Sequence, residues 1–162
     1  MRTIHAHAVR GALVAVKRCM ESIRDRLTAD HLRLDALFDD VLKRLALNDR
    51  DETRAAWSDF EKGLLAHLEV EEKFILPRFS KDHELEASVI RREHDGFRAK
   101  LSELGVMVDL HAIRMNVANE FVKVLREHAR REDALMYRWA EENLAKEARL
   151  EALNSLRLRA PV

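Results

Sequence analysis

Apolar residues recur every three or four positions through almost the whole chain, the spacing that gathers them on one face of an α-helix. No stretch of four or more residues shows the strict alternation of a half-buried strand. Val9, Leu13, Val16, Met20, Ile23 and Leu27 predict an amphipathic helix from about Ala8 to Leu27. Thr28 and Asp30 are candidate caps. Beyond them, Leu27, His31, Leu34, Phe38, Val41 and Leu45 form the inward stripe of a first bundle helix ending near Asn48 to Asp51. A second helix is expected from about Glu52 to Phe79, with Trp57, Phe60, Leu64, His67, Glu71, Phe74 and Ile75 on one face and Pro77 near its end. A third, from about Glu84 to Val108, aligns Val89, Ile90, His94, Phe97, Leu101 and Leu104. The fourth runs from about Met115 into the 140s and aligns Phe121, Val124, Leu125, His128, Glu132, Leu135 and Trp139.

These elements predict an all-α fold: an up-down-up-down four-helix bundle over residues 29–143, with an extra N-terminal helix within 1–28 and a helical or frayed C-terminal tail over 144–162. The bundle repeats itself. Phe60, Leu64, His67, Glu71, Glu72 and Ile75 return at a constant offset of 61 as Phe121, Leu125, His128, Glu132, Asp133 and Met136. A looser match at an offset of 63 relates Asp30, His31 and Leu34 in the first helix to Glu93, His94 and Phe97 in the third. Two helical hairpins therefore each supply one lone histidine and one His-x-x-x-Glu pair.

Residues four apart share a helical face, so His67 with Glu71, and His128 with Glu132, each present a nitrogen and a carboxylate to one point. Those points lie on the apolar stripe. An ionised carboxylate is costly there unless a charge partner or a metal ion compensates it. The expected ligands are thus His31, His67, Glu71, His94, His128 and Glu132, two histidines per ion with both glutamates bridging. Imidazole with carboxylate suits iron, manganese or zinc, and one cysteine, Cys19, gives no thiolate cluster for softer metals. His5, His7, His83 and His111 are read as ordinary surface or core residues. Trp57 is read as core. Glu72 and Asp133 are placed around the imidazoles rather than on the metal, and Tyr137 follows the last ligand pair closely enough to line the site.

The ordered set resembles the hemerythrin-like, His-His-Glu cation-binding family over His31 to Trp139. The matching stretches are His31-Leu-Arg-Leu-Asp35, His67-Leu-Glu-Val-Glu71-Glu72 leading to Leu76-Pro77, Glu93-His94, and His128-Ala-Arg-Arg-Glu132-Asp133 leading to Tyr137. The resemblance implies two non-haem iron ions, bridged by oxo or hydroxo, that take dioxygen, nitric oxide or peroxide. Oxygen-carrying hemerythrins have a fifth histidine one turn from the one on the third helix, where this sequence has Arg98 after His94 and Ile90 before it. The pattern is closer to bacterial relatives with four histidines and two glutamates. Asp35 or water could fill the missing position, and Asp133 competes with Glu132 as the second bridging carboxylate, because in hemerythrins that residue follows the last histidine by five.

Composition narrows the readings further. With 29 basic and 29 acidic residues the formal net charge is zero, so nothing favours a nucleic-acid backbone. No apolar run is long enough to span a bilayer, and the lone cysteine fits a reducing compartment, so a soluble cytoplasmic protein is expected. A ferritin-like di-iron site would need Glu-x-x-His pairs, which are absent, and the one His-Glu dipeptide, His83-Glu84, lacks the second histidine of a zinc hydrolase motif. Three functions are left. One is binding, storage or sensing of dioxygen or a related small ligand. Another is redox chemistry on peroxide or nitric oxide, or iron donation in iron-sulfur cluster repair. The third is scaffolding by the helices alone, with the N-terminal helix and the tail leucines offering apolar surface to a second copy.

Overall fold

The computed structural model describes residues 22–159, and most of the helix expected over Ala8 to Leu27, with Cys19, lies outside them. Among the described residues there are helices and turns and no strand. Helix α1 spans Ile23–Ala46, opened by Ser22, whose hydroxyl accepts from the backbone N–H of Asp25. Thr28 and Asp30 are therefore not caps. They lie inside α1, and the expected boundary at 28/29 falls mid-helix, because both side chains find partners across the bundle instead. The Thr28 hydroxyl donates to Asp133 at 2.7 Å and Asp30 faces His67.

Asn48, in the left-handed region at φ 55°, turns the chain, and the Asp49 carboxylate accepts from the N–H of Glu52 to start α2, Arg50–Val70. The helix then widens into one π turn over Glu71–Ile75 before closing as the short α3, Leu76–Phe79. Pro77 offers no N–H to the carbonyl one turn back, and the wider turn precedes it. Helices α4, Glu84–Asp109, and α5, Met115–Ala134, form the second hairpin. Just after the second His-x-x-x-Glu pair the chain breaks again, at Leu135 (φ −121°, ψ −68°), and resumes as α6, Met136–Asn143, and α7, Lys146–Arg159. The break falls at the position that the repeat equates with Phe74, inside the π turn.

α1 packs on α2 and α5, and α4 packs on α2, which is the neighbour order of an up-down-up-down bundle. Buried side chains form two separate clusters. One gathers Phe38, Trp57, Phe60, Phe97, Leu101 and Phe121, with edge-to-face ring contacts such as Phe38 to Phe60 at 4.8 Å. The other gathers Ile23, Leu27, Ile75, Phe79, Met136 and Tyr137. On α1, Leu27 belongs to the second cluster and Leu34 to the first, with His31 between them; on α4, Ile90 and Phe97 flank His94 in the same way. The polar layer lies between two dry ones.

The tail is helical rather than frayed. Ala148, Ala152, Leu153 and Leu156 of α7 are buried in the second cluster, where α7 meets α1, α2 and the π turn. Those two leucines are covered by the chain's own bundle. No helix among the described residues is long and apolar enough to cross a membrane. Because Leu153 is closed off by its own chain, Leu153→Ala should cost about 2–5 kcal/mol of unfolding free energy in denaturant titration. A loss below about 0.5 kcal/mol would mean that the tail does not pack.

Candidate metal centre

The four helices bring the six expected side chains to one place. Glu71 and Glu132 are both 0% exposed, in the middle of the polar layer. His31 and His67 face each other with Nε2 atoms 3.1 Å apart, and His94 and His128 do the same at 3.2 Å. Each carboxylate spans the two pairs. Glu71 stands 3.4 Å from His67 Nε2 through Oε1 and 3.5 Å from His94 Nε2 through Oε2. Glu132 stands 3.1 Å from His128 Nε2 through Oε1 and 3.3 Å from His31 Nε2 through Oε2. Oε2 of each is buried without a hydrogen-bond partner. Buried polar atoms are seldom left so. Two inward-facing anionic oxygens surrounded by imidazole nitrogens fit a cation, and two groups, His31/His67/Glu71/Glu132 and His94/His128/Glu132, are close enough to hold one each.

Around them stand four further carboxylates. Asp30 accepts from His67 Nδ1 at 2.9 Å, Glu72 from His94 Nδ1 at 3.0 Å and Glu93 from His128 Nδ1 at 2.7 Å. Asp133 stands 3.8 Å from His31 Nδ1, too long for a hydrogen bond. A proton fixed on Nδ1 leaves the Nε2 lone pair pointing inward, which is the tautomer a metal needs. The outer acids are held in turn. Arg33 donates to Asp30 at 2.7 Å, Arg98 grips both oxygens of Glu72 at 2.8 and 2.7 Å, and Arg131 donates to Glu93.

The pairing of outer acids with imidazoles follows the repeat, with Asp133 standing further from its ring than the others. Asp30 to His67 matches Glu93 to His128, and Glu72 to His94 matches Asp133 to His31. Tyr137 breaks this symmetry. Its hydroxyl donates to Glu71 Oε1 at 2.5 Å and stands 2.9 Å from His31 Nε2 and 3.2 Å from His67 Nε2. The equivalent position in the other hairpin is Leu76.

A family model described as the hemerythrin HHE cation binding domain matches residues 22–140 and, in a second match, 87–156. The chain belongs to the hemerythrin HHE family. The second match covers the second hairpin and most of the tail helix. No curated protein and no solved structure matched.

Within this hemerythrin fold the remaining expectations sort by geometry. Glu132, not Asp133, faces both histidine pairs, while Asp133 takes the Thr28 hydroxyl outside them. Asp35 is not brought to the centre: its carboxylate accepts from Arg126 Nε at 2.6 Å. Arg98, at the place of the absent histidine, is spent on Glu72. Glu72 acts outside the imidazole, as expected, and Tyr137 reaches further in than a lining residue. Asp30 and Glu93 were not expected as imidazole partners. The signal for them was present, since an acid directly precedes each lone histidine in the repeat, but it serves the histidine of a neighbouring helix.

Electrostatics follow from the packing. Burial by itself favours neutral imidazole, yet the Glu71 and Asp30 carboxylates outweigh it and His67 is pushed up to about 10. His31, His94 and His128 are raised in the same sense. Burial raises Glu132, but the facing histidines hold it well below the usual carboxylate range. In protein stripped of metal, the raised His67 contributes stability that is fully present below the unfolded-state value of about 6.5. That contribution is lost as pH rises through the folded value of about 10. Chelator-treated protein should therefore lose unfolding free energy between pH 6.5 and 10, measured by urea titration; stability that is flat or rising across that window contradicts the assignment.

Proposed function

We propose that this is a non-haem di-iron protein that binds, stores or senses dioxygen or a related small ligand inside the bundle. The observation that carries the reading is that Glu71 and Glu132 each turn one oxygen to each histidine pair. His31 and His67 would hold one ion, His94 and His128 the other, and the two carboxylates both. Six nitrogen and oxygen ligands with open positions suit iron, and the family's cation-binding character supports a metal at this place. When bound, such a pair of ions supplies electrons and vacant positions for a small oxidant.

The chain's own residues do the rest. Asp30, Glu72 and Glu93 fix three imidazole rings by their outer nitrogens, so the inner nitrogens need no reorientation to bind. The two apolar clusters keep bulk water from the polar layer between them. Tyr137 favours a second reading, a redox enzyme acting on peroxide or nitric oxide. Burial first, and then the nearby Glu71 and Glu132 charges, hold its phenol well above the usual range, so it keeps its proton at neutral pH. That proton is held on Oη against Glu71 Oε1, with His31 Nε2 2.9 Å away, where it could be given up to a reacting group.

Iron content together with visible spectra under oxygen and peroxide tests both readings. A reversible oxygen spectrum supports the first, and rapid autoxidation with peroxide consumption supports the second. Failure to retain any metal sinks both. Glu71→Ala should remove at least about half of the bound iron. Glu72→Ala should keep the stoichiometry and weaken affinity about 10–100-fold. Equal losses of iron would overturn the bridging role of Glu71.

A further inference from the structure

A cavity of about 320 Å³ lies beside the centre, between α1 and α5 with α2 as its floor. His31, His67 and His128 form part of its wall, whereas Glu71, Glu132, His94 and Tyr137 do not line it. The space is therefore adjacent to the place where ions would sit and is not that place itself. At ~30 Å³ per non-hydrogen atom of a liquid, the cavity has room for on the order of ten such atoms. Dioxygen, nitric oxide and peroxide have two each and would leave most of it empty.

The chemistry of the wall is equally specific. Leu34, Phe38, Phe60, Leu64, Val122 and Leu125 face the cavity, all from the stripe that builds the first apolar cluster. Its charged members are tied up or exposed at the rim: Arg126 donates to Asp35 at 2.6 Å and to Asp39 at 3.0 Å, Asp133 accepts from Thr28, and Arg130 is solvent-exposed. Nothing on the apolar side asks for an ionic partner. An apolar pocket of this size with polar groups at one end is the usual form of a small-molecule site.

We infer that this cavity is a binding site for a neutral, mostly apolar organic molecule of about ten non-hydrogen atoms, such as an alkyl chain with one oxygen-bearing end turned to the histidines. The inference deepens the di-iron reading, since it gives that centre an organic ligand in addition to the small oxidant. Metal retention is measured separately, so the two can fail independently.

The test is titration of n-octanol into iron-loaded protein, followed by calorimetry, with azide as a spectroscopic probe of the centre. Leu125 is half-buried on the wall and touches none of the six centre residues' hydrogen bonds, so Leu125→Phe fills the cavity without removing a ligand. Octanol should bind the unmodified protein and weaken azide binding several-fold. In Leu125→Phe, octanol affinity should fall more than tenfold while iron content and helical circular dichroism stay the same. Leu125→Met, which keeps the volume, should bind octanol as the unmodified protein does and so controls for fold damage. No octanol binding, equal binding to Leu125→Phe, or binding that leaves azide untouched would each overturn the inference. Octanol binding to a protein that retains no iron would uphold the cavity and defeat the di-iron reading alone.

Discussion

Two carboxylates with no exposed surface sit in the middle of this bundle, sandwiched between two apolar clusters. Removing an ionised carboxylate from water costs several kcal/mol even after local relaxation, and the cost doubles when a second lies in the same layer. Everything around Glu71 and Glu132 answers that constraint. Four imidazoles face them, outer acids polarise three of those imidazoles, and arginines hold the outer acids. Charge alternates outward from the centre, and the atoms of the six central side chains left buried without a hydrogen-bond partner are the two inward oxygens and His31 Nδ1. The two oxygens are the atoms that a cation would satisfy.

The constraint is met twice, once per hairpin, and the two solutions are nearly the same. Asp30-His31 and Glu93-His94 do equivalent work, as do His67 to Glu72 and His128 to Asp133. Both hairpins also leave regular α-helix just beyond their glutamate, one by a π turn before Pro77 and the other by a break at Leu135. Departures of this kind gather where backbone must aim a side chain. The halves differ at two places beside the histidines. Tyr137 puts a phenol against the His31/His67 pair where the other half has Leu76, and Arg98 binds Glu72 where the first half has Asp35 bound to Arg126. The cavity is walled by His31 and His67 and, from the other pair, by His128. Two positions that begin as copies thus differ in having a phenol beside one of them.

The absent fifth histidine leaves the two halves alike, with two imidazoles each. At its place Arg98 reaches outward to a carboxylate, so the His94/His128 half has two protein nitrogens and no third donor of that kind.

Periodicity alone settled the helical class, and the His-x-x-x-Glu repeat alone picked out six residues that converge in three dimensions, because a histidine and a carboxylate four apart on an apolar stripe have no inexpensive alternative to meeting others of their kind. The sequence also separated Glu132 from Asp133 by phase. It misjudged what lies between helices: Thr28 and Asp30 look like caps by residue type, but their partners, Asp133 and His67, are on other helices and decide against it. The tail could be read as helical or frayed, and its leucines become buried only when α1, α2 and the π turn are present to cover them. Which histidines pair, which acid serves which ring, and that Tyr137 reaches Glu71 are properties of interhelical distance. Local spacing fixes what shares a face; only packing fixes what each face meets.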